Sequence, residues 1–222
     1  MDAAGKDGTI KHVMSGVNPQ GVDVYSFKSP SAEELAHDFM WRSNRCLPAR
    51  GKIGIFNRSY YEEVLVVRVH PEYLEKQRIP DELRGDHFWR HRYQDISAFE
   101  RYLSRNGIAI RKFFLNVSKK EQKKRFMGRL DIEEKNWKFS ASDVKERKYG
   151  DEYQNAYEKM IQQTATEYAP WVVVPADNKW FSRLLVVATV VDALESLKLN
   201  FPKLTGAQLA ALQEARKQLE RE

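Results

Sequence analysis

The spacing of hydrophobic and polar residues predicts that short strands alternate with helices along this chain. Apolar runs or alternating apolar and polar residues predict four strands, at residues 22–27, 52–57, 109–116 and 171–175. Apolar residues at helical spacing predict helices at residues 8–15, 31–45, 60–69, 97–105, 118–130, 141–147, 151–166, 178–197 and from 205 onward. Residues 70–94 are predicted to form an irregular insert. This alternation predicts an α/β fold whose parallel sheet carries helices on both faces.

Capping residues refine where four of these helices begin. A Ser with Glu three residues later predicts a capping box at Ser31, Ser97 and Ser118. Thr205 and Gln208 predict the start of a terminal helix, whose leucines share one face. The domain prediction is therefore one α/β domain over residues 1–200 and a terminal helix over 201–222.

Composition narrows the class of protein. The chain has 222 residues, of which 31% are charged, and a formal net charge of +6, so a folded domain with a mildly basic surface is expected. Cys46 is the only cysteine, which excludes an intrachain disulfide. The longest apolar run, residues 184–191, is too short to cross a bilayer. The first residues are typical of neither a signal peptide nor a presequence, so the cytosol is expected.

The first nine residues carry the strongest functional signal. Small residues lead to Gly5 and Lys6, and a helix is predicted to follow. Glycine lets the backbone approach phosphate oxygens, helix-start amides point at them, and the lysine adds positive charge. The pattern predicts a phosphate-binding loop, against the alternative of a chance Gly-Lys pair; its candidate phosphate-binding residues are Ala4, Gly5, Lys6, Asp7, Gly8 and Thr9.

Two features depart from the usual form of such a loop. Met1 stands where an earlier glycine is expected, and no strand precedes it in this sequence. Asp7 occupies the position after the lysine, where a Ser or Thr usually holds Mg²⁺, and the hydroxyl comes at Thr9. Metal coordination must then be arranged differently. Asp2 is the candidate magnesium ligand or base.

A second candidate group follows the strand predicted at residues 52–57. In α/β sheets the carboxyl ends of the strands face the ligand crevice, so Asn57 and Arg58 are predicted to reach metal-bound water or phosphate. The alternative is a turn asparagine and a solvated arginine. Glu62, four residues after Arg58, is predicted to pair with it on one helical face.

The helix predicted at residues 118–130 is strongly basic. Arg125 and Arg129 are spaced to share one face, and Lys123 adds a further cation. Such a helix would suit a chain of phosphates and could close over it as a lid. A solvated surface helix is the alternative. His87 and His91 have a spacing that can serve zinc, but no third ligand is evident, so packing is the favoured interpretation.

Four stretches, in order, resemble the polyphosphate kinase 2 family. They are residues 2–10, 56–69, 135–140 and a terminal pair at 166–171 and 175–180, so the resemblance covers nearly the whole chain. The form of the stretch from Asn57 to Arg68 resembles the class that accepts both AMP and ADP.

The resemblance implies a soluble P-loop kinase that moves phosphate between inorganic polyphosphate and nucleotides, using Mg²⁺. It implies catalytic roles for Asp2, Lys6, Asn57 and Arg58, a helical lid at about residues 118–150 carrying Lys123, Arg125 and Arg129, and supporting roles for Glu62 and Arg68. Nucleoside mono- and diphosphates are the expected partners, and a homo-oligomer is expected. Family members have a central strand before the residue that matches Met1. Its absence here predicts a poorly stable or inactive chain.

Three hypotheses about function follow. The first is polyphosphate–nucleotide phosphotransfer, the second an ATP-dependent nucleotide kinase of the same fold, and the third an inactive, truncated polyanion-binding remnant. Nucleic-acid binding lacks any recognisable motif.

Overall fold

The computed structural model describes residues 3–221, in which α-helices and β-strands alternate. The first half contains α1 (Lys6–Val13), β1 (Val22–Ser26), α2 (Ala32–Leu35), α3 (Trp41–Arg45), β2 (Ile53–Arg58), α4 (Val66–Val69), α5 (Glu72–Glu75) and α6 (Phe88–Arg105). The second half contains β3 (Lys112–Asn116), α7 (Lys119–Leu130), α8 (Glu133–Asn136), α9 (Ala141–Glu146), α10 (Gly150–Thr164), β4 (Trp171–Pro175), α11 (Lys179–Ser196) and α12 (Gly206–Leu219).

The strands pair in parallel, which confirms the predicted α/β class. β1 pairs with β2 from Val22–Ile53 onward, and β3 pairs with β4 from Lys112–Trp171 to Asn116–Pro175. Within residues 3–221 these ladders form two separate two-stranded sheets, whereas the pattern predicted one continuous sheet. Helices connect the strands of each pair, as parallel connections require.

One predicted helix start is wrong. Ser97 and Glu100 do not begin a helix, because α6 already starts at Phe88 and both residues lie in its interior. The early part of α6 looked irregular because its buried face includes Arg92 as well as apolar residues. The predicted helix at 60–69 is also divided, into a 3₁₀ helix at Tyr60–Val64 and α4.

Other capping predictions are confirmed. Ser31 and Glu34 form the reciprocal capping box of α2, and Thr205 and Gln208 form that of α12. The Ser118 hydroxyl accepts a hydrogen bond from the Glu121 amide, 3.1 Å away, at the start of α7. These caps depend on residues three apart, which explains why sequence alone predicts them.

The main core lies between the 3₁₀ helix at Tyr60–Val64, α6 and α10. Val64, Ile96 and Met160 are fully buried there, and Phe56 of β2 and Trp171 of β4 pack against the same cluster. Both strand pairs therefore pack against this core, through Phe56 and Trp171. The carboxyl ends of β2 and β4 carry the candidate site.

The chain divides into two compact units, residues 1–190 and 191–222. In the second unit, α12 exposes Leu209, Leu212 and Leu219. Among residues 3–221, none of the helices combines the length and the apolar character that a bilayer crossing requires.

Candidate functional site

The segment from Ala3 to Thr9, here called the Gly-Lys loop, turns sharply into α1. Gly5 has φ of 100° and Ala3 has φ of 59°, both in the left-handed region. α1 starts at Lys6, and the Thr9 amide is the first to bond within the helix, 2.9 Å from the Gly5 carbonyl oxygen. The amides of Lys6, Asp7 and Gly8 come earlier in the first turn, where the helix offers no acceptor. The local geometry therefore suits an anion. Met1 and Asp2 lie outside the described residues, so the predicted roles of Asp2 are not addressed by the structure.

The Gly-Lys loop lies against the carboxyl ends of both strand pairs. Ala4 is buried and packs on Val117 and Ala176, which directly follow β3 and β4. On the other side, the Asn57 side-chain amide at the end of β2 donates to the Asp7 carboxylate at 2.6 Å. The structure thus brings Asn57 to the loop from fifty residues away in the sequence.

A cavity of about 340 Å³ opens beside the loop. Lys6, Arg58 and Glu62 line one side of it, and residues of α7, α9 and α10 line the other. Its walls carry four cationic and four acidic side chains, Lys6, Arg58, Lys119, Arg147, Glu62, Asp143, Glu146 and Asp151. A cavity with this mixture of charges favours a ligand that has both an anionic and a neutral, hydroxyl-rich part.

The predicted Arg58–Glu62 pairing on one helical face is wrong in its geometry, because Arg58 ends β2 and Glu62 lies in the 3₁₀ helix that follows. Both side chains nevertheless line the cavity. Arg68 does not line it; its guanidinium donates to the Tyr93 hydroxyl at 2.9 Å and lies over the Trp89 ring. Arg68 therefore supports the packing beneath the site.

The three candidate lid cations have different surroundings. Lys123 is exposed on α7. Arg129 lies 3.4 Å from the Asp143 carboxylate and over the Phe126 ring. Arg125 is directed toward the Gly-Lys loop and bonds to the Ala3 and Ala4 carbonyl oxygens. Phosphate contact by these three side chains stays a prediction.

Two features of the site were not singled out from the sequence. His70 at the end of α4 lies 3.0 Å from Glu146 of α9, whose carboxylate also accepts a bond from the Tyr153 hydroxyl. Burial, and then the hydrogen bond to Glu146, raises the pKa of Tyr153, so this phenol stays a neutral donor in the cavity wall. No local pattern marks these residues, because their partners are up to 76 positions away.

Asp177 is the second such feature. At the start of the long helix after β4, the Asn178 side chain accepts hydrogen bonds from the amides of Trp180 and Phe181. Asp177 instead accepts from the Ser118 amide at 2.7 Å. It thereby ties the start of α7 to the end of β4.

Replacing Asp177 with Asn is expected to change how the melting temperature of the protein depends on pH. Hydrogen bonds from the Ser118 amide and hydroxyl, and to a lesser degree Arg125, lower the pKa of Asp177. A carboxylate with a lowered pKa in the folded state contributes stability above its unfolded pKa, and the contribution is lost as the pH falls through the folded value. The melting temperature of the wild type should therefore exceed that of Asp177→Asn at pH 7, and the two should converge below about pH 4. A gap that stays constant from pH 7 to pH 3 would contradict this assignment.

The described residues also test whether a metal ion fits. Among residues 3–221, no group of three or more His, Cys, Asp and Glu side chains could hold a metal by itself. The Asn57 side-chain oxygen, however, is buried and has no hydrogen-bond partner within those residues, and the Asp7 carboxylate is next to the same amide group. Two oxygen donors beside the Gly-Lys loop fit Mg²⁺, which is bound by few protein ligands together with substrate phosphates.

Fold and site together define an α/β protein in which a Gly-Lys loop, of a geometry that suits an anion, lies at the carboxyl ends of parallel strands. A family model described as Polyphosphate kinase 2 (PPK2) matches residues 1–202. The chain belongs to the polyphosphate kinase 2 family of phosphotransferases.

Individual relatives agree with this assignment. The chain is 55% identical over 220 residues to an ADP-polyphosphate phosphotransferase of Rhodopseudomonas palustris, covering 99% of this chain and 76% of the relative. It is 48% identical over 203 residues to an AMP/ADP-polyphosphate phosphotransferase of Meiothermus ruber, covering 91% of this chain and 72% of the relative. The crystal structure of polyphosphate kinase 2 from Arthrobacter aurescens TC1 matches with a TM-score of 0.85 and 43% identity, over 96% of this chain and 73% of that one.

Proposed function

We propose that this protein transfers phosphate between inorganic polyphosphate and nucleotides, with both AMP and ADP as acceptors. Family membership and the names of the two relatives support the reaction class. The observation that carries the proposal is that Lys6 of the Gly-Lys loop and Arg58 of β2 line the same cavity. A lysine and an arginine on one cavity can hold two anionic reactants close enough for transfer.

The nucleotide is the substrate that fits the mixed charges of the cavity. Carboxylates such as Glu62 and Glu146 can accept hydrogen bonds from ribose hydroxyls, but they would repel a ligand that is anionic throughout. Polyphosphate is such a ligand. Its terminal phosphate is therefore expected at the Gly-Lys loop, with the rest of the chain directed toward Lys123 and Arg129.

Phosphoryl transfer needs little covalent chemistry from the protein, so positioning and charge neutralisation dominate. We assign Lys6 and the amides of Gly5 to Gly8 to binding the transferred phosphate, and Arg58 to neutralising charge during transfer. Asn57 and Asp7, with Asp2 outside the described residues, would hold a Mg²⁺ ion, which when bound neutralises phosphate oxygens.

We further propose a P-loop kinase fold in which a strand leading into the Gly-Lys loop lies between β2 and β3. The loop already contacts the ends of both strands, through Asn57 and through Val117, while no ladder joins β2 to β3 within residues 3–221. Such a strand would pair backbone groups whose burial unpaired costs about 1–3 kcal/mol each.

We also propose that the protein forms a homo-oligomer and is located in the cytoplasm. The exposed leucines on α12 offer an apolar face for a second copy. Nucleotide substrates and a single cysteine suit a reducing, nucleotide-rich compartment. We keep the proposed domain division into a kinase domain over residues 1–200, with its lid at about 118–150, and a terminal helix over 201–222.

The decisive assay offers AMP or ADP to the purified protein with polyphosphate as the only phosphate donor. ADP and ATP should accumulate, and magnesium chelation should stop the reaction. A parallel reaction with ATP as the donor and AMP as the acceptor tests the competing ATP-dependent kinase. Product with ATP but none with polyphosphate would overturn the proposal, and no product from either donor, even in a version lengthened by the proposed strand, would favour the inactive polyanion-binding protein.

A further inference from the structure

Arg125 uses its whole hydrogen-bonding capacity on the protein itself. Its side chain is only 10% exposed, and its Nε donates to Glu121 at 3.0 Å. One terminal nitrogen, Nη1, donates to the carbonyl oxygens of Ala3 and Ala4, at 3.0 and 2.9 Å. The other, Nη2, donates to the carbonyl oxygens of Ala176 and Asp177. A guanidinium has five N–H groups, so all five are accounted for.

Two of these acceptors, the Ala3 and Ala4 carbonyl oxygens, belong to the turn of the Gly-Lys loop. Ala3 has φ of 59°, a left-handed conformation that residues other than glycine rarely adopt, so the turn needs support from its surroundings. The Ala3 and Ala4 carbonyls precede Gly5, which is also left-handed, and Arg125 Nη1 lies 3.7 Å from the position a Gly5 side-chain carbon would take. The guanidinium therefore lies behind the turn and fixes the direction of its carbonyls.

The hydrogen bonds that hold the Ala3 and Ala4 carbonyl groups also set the directions of the amide groups that follow them. Each peptide group is planar, so the direction of the Ala4 carbonyl determines the direction of the Gly5 amide on the same peptide. The following amides of Lys6 and Asp7 depend on where Gly5 places the start of α1. The two bonds of Arg125 Nη2 join this turn to the end of β4, where Ala176 is buried.

We infer that Arg125 is a positioning residue that holds the Gly-Lys loop in its phosphate-binding conformation, and does not itself contact phosphate. The inference rests on the proposed function of that loop. It also assigns different tasks to the two arginines of α7. Within residues 3–221 both hydrogen bonds of Arg129 are long and come from Nη1, at 3.4 Å to Asp143 and 3.4 Å to the Lys138 carbonyl oxygen, so Arg129 keeps donors for a ligand.

Replacement of arginine by lysine should affect a positioning residue and a phosphate-binding residue differently. An ammonium keeps the positive charge but has three donors on one atom, so it cannot reach acceptors on two chain segments as a planar fork does. A phosphate contact that depends mainly on charge tolerates the exchange better, because lysine binds phosphate as a point charge. Arg125→Lys is therefore expected to lower kcat about a hundredfold, as a misplaced reactive group can do. Arg125→Gln should be equally impaired, and Arg129→Lys should keep most of its activity and change mainly KM for polyphosphate.

Two controls separate positioning from loss of folding. Arg101→Lys makes the same exchange on the exposed surface of α6, and kcat and melting temperature should match the wild type. In Arg125→Ala, millimolar guanidinium should restore part of kcat, whereas the same concentration of ammonium should not. Wild-type turnover in Arg125→Lys, or rescue by both cations, would overturn the inference.

A measurement that needs no turnover keeps this test independent of the proposed function. Hydrogen exchange of a peptide covering residues 3–9 should be faster in Arg125→Lys than in the wild type, while a peptide from β3 exchanges unchanged. Unchanged exchange at residues 3–9 would show that Arg125 does not hold the loop, whatever the reaction is. Faster exchange with an inactive wild type would instead reject the proposed reaction and leave the positioning role standing.

Discussion

Replacing Lys6 with methionine is expected to lower the rate of phosphate transfer about 10²–10³-fold, or roughly 2.7–4 kcal/mol in transition-state stabilisation. Methionine keeps much of the apolar length of the side chain but removes the positive charge from the cavity that Lys6 shares with Arg58. The remaining amides of the Gly-Lys loop should still bind phosphate weakly. The measurement is kcat/KM with polyphosphate and AMP, together with the melting temperature.

Lys11→Met provides the matched control. Lys11 lies on the same helix, α1, is exposed, and lies outside the cavity lining, so the same exchange there should leave kcat/KM within about twofold. If Lys6→Met turned over polyphosphate as fast as the wild type at an unchanged melting temperature, the Gly-Lys loop would not be the phosphate site.

Replacing Lys112 with methionine is expected to have the largest effect on stability. The Lys112 ammonium donates to Glu100 at 2.6 Å, to the Tyr61 hydroxyl at 2.9 Å and to the Thr164 carbonyl oxygen at 2.8 Å. Glu100 is completely buried, and after the exchange only the tyrosine hydroxyls would compensate its charge. Removing one partner of a buried pair costs about 3–5 kcal/mol, a large share of a total stability of about 5–15.

The burial of Lys112 and Glu100 agrees with a large expected loss of stability. Burial lowers the pKa of Lys112, and the nearby Glu100 carboxylate opposes that shift. Burial also raises the pKa of Tyr61, with Glu100 adding to the shift, so the phenol remains a donor to the carboxylate. The free energy of unfolding from denaturant titration is the appropriate measurement.

An exposed pair with the same separation serves as the control. Lys119 and Asp151 are also 2.6 Å apart, but their side chains are 67% and 85% exposed, so Lys119→Met should cost at most about 1 kcal/mol. The double variant Lys112→Met with Glu100→Gln should recover part of the loss, because no buried charge is left unpaired. A loss below about 1 kcal/mol in Lys112→Met would show that the network is not holding β3 to α6.

Local patterns account for the parts of the fold that were predicted well. β4 was placed at its observed bounds because four apolar residues and a proline follow one another there. The helix starts at Ser31 and Thr205 were predicted because their capping partners lie three residues away. The start of α6 was missed for the opposite reason. Arg92 pairs with Glu63, 29 residues earlier, so a buried position looks polar in the sequence.

The candidate site likewise has parts that were predicted from local sequence patterns and parts that were not. The Gly-Lys loop could be predicted from the sequence, because its small residues, its lysine and the following helix start are neighbours along the chain. Asn57 and Arg58 were predicted at a strand end by a general rule for parallel sheets, and the structure puts Asn57 beside Asp7 and Arg58 on the cavity. The acidic wall contributed by α9 and α10 was not foreseen, because no spacing rule connects it to the loop.

The sequence by itself therefore determined the α/β class, the position of the Gly-Lys loop and the basic character of α7, since each depends on residues close together in the chain. Only the tertiary structure decided which of the two α7 guanidiniums bonds to the Gly-Lys loop. Arg125 and Ala3 are 122 positions apart, and a hydrogen bond across that distance depends on how β4, α7 and the loop pack together. Two arginines one helical turn apart look equivalent in the sequence, but each helical position faces a different neighbour in the fold.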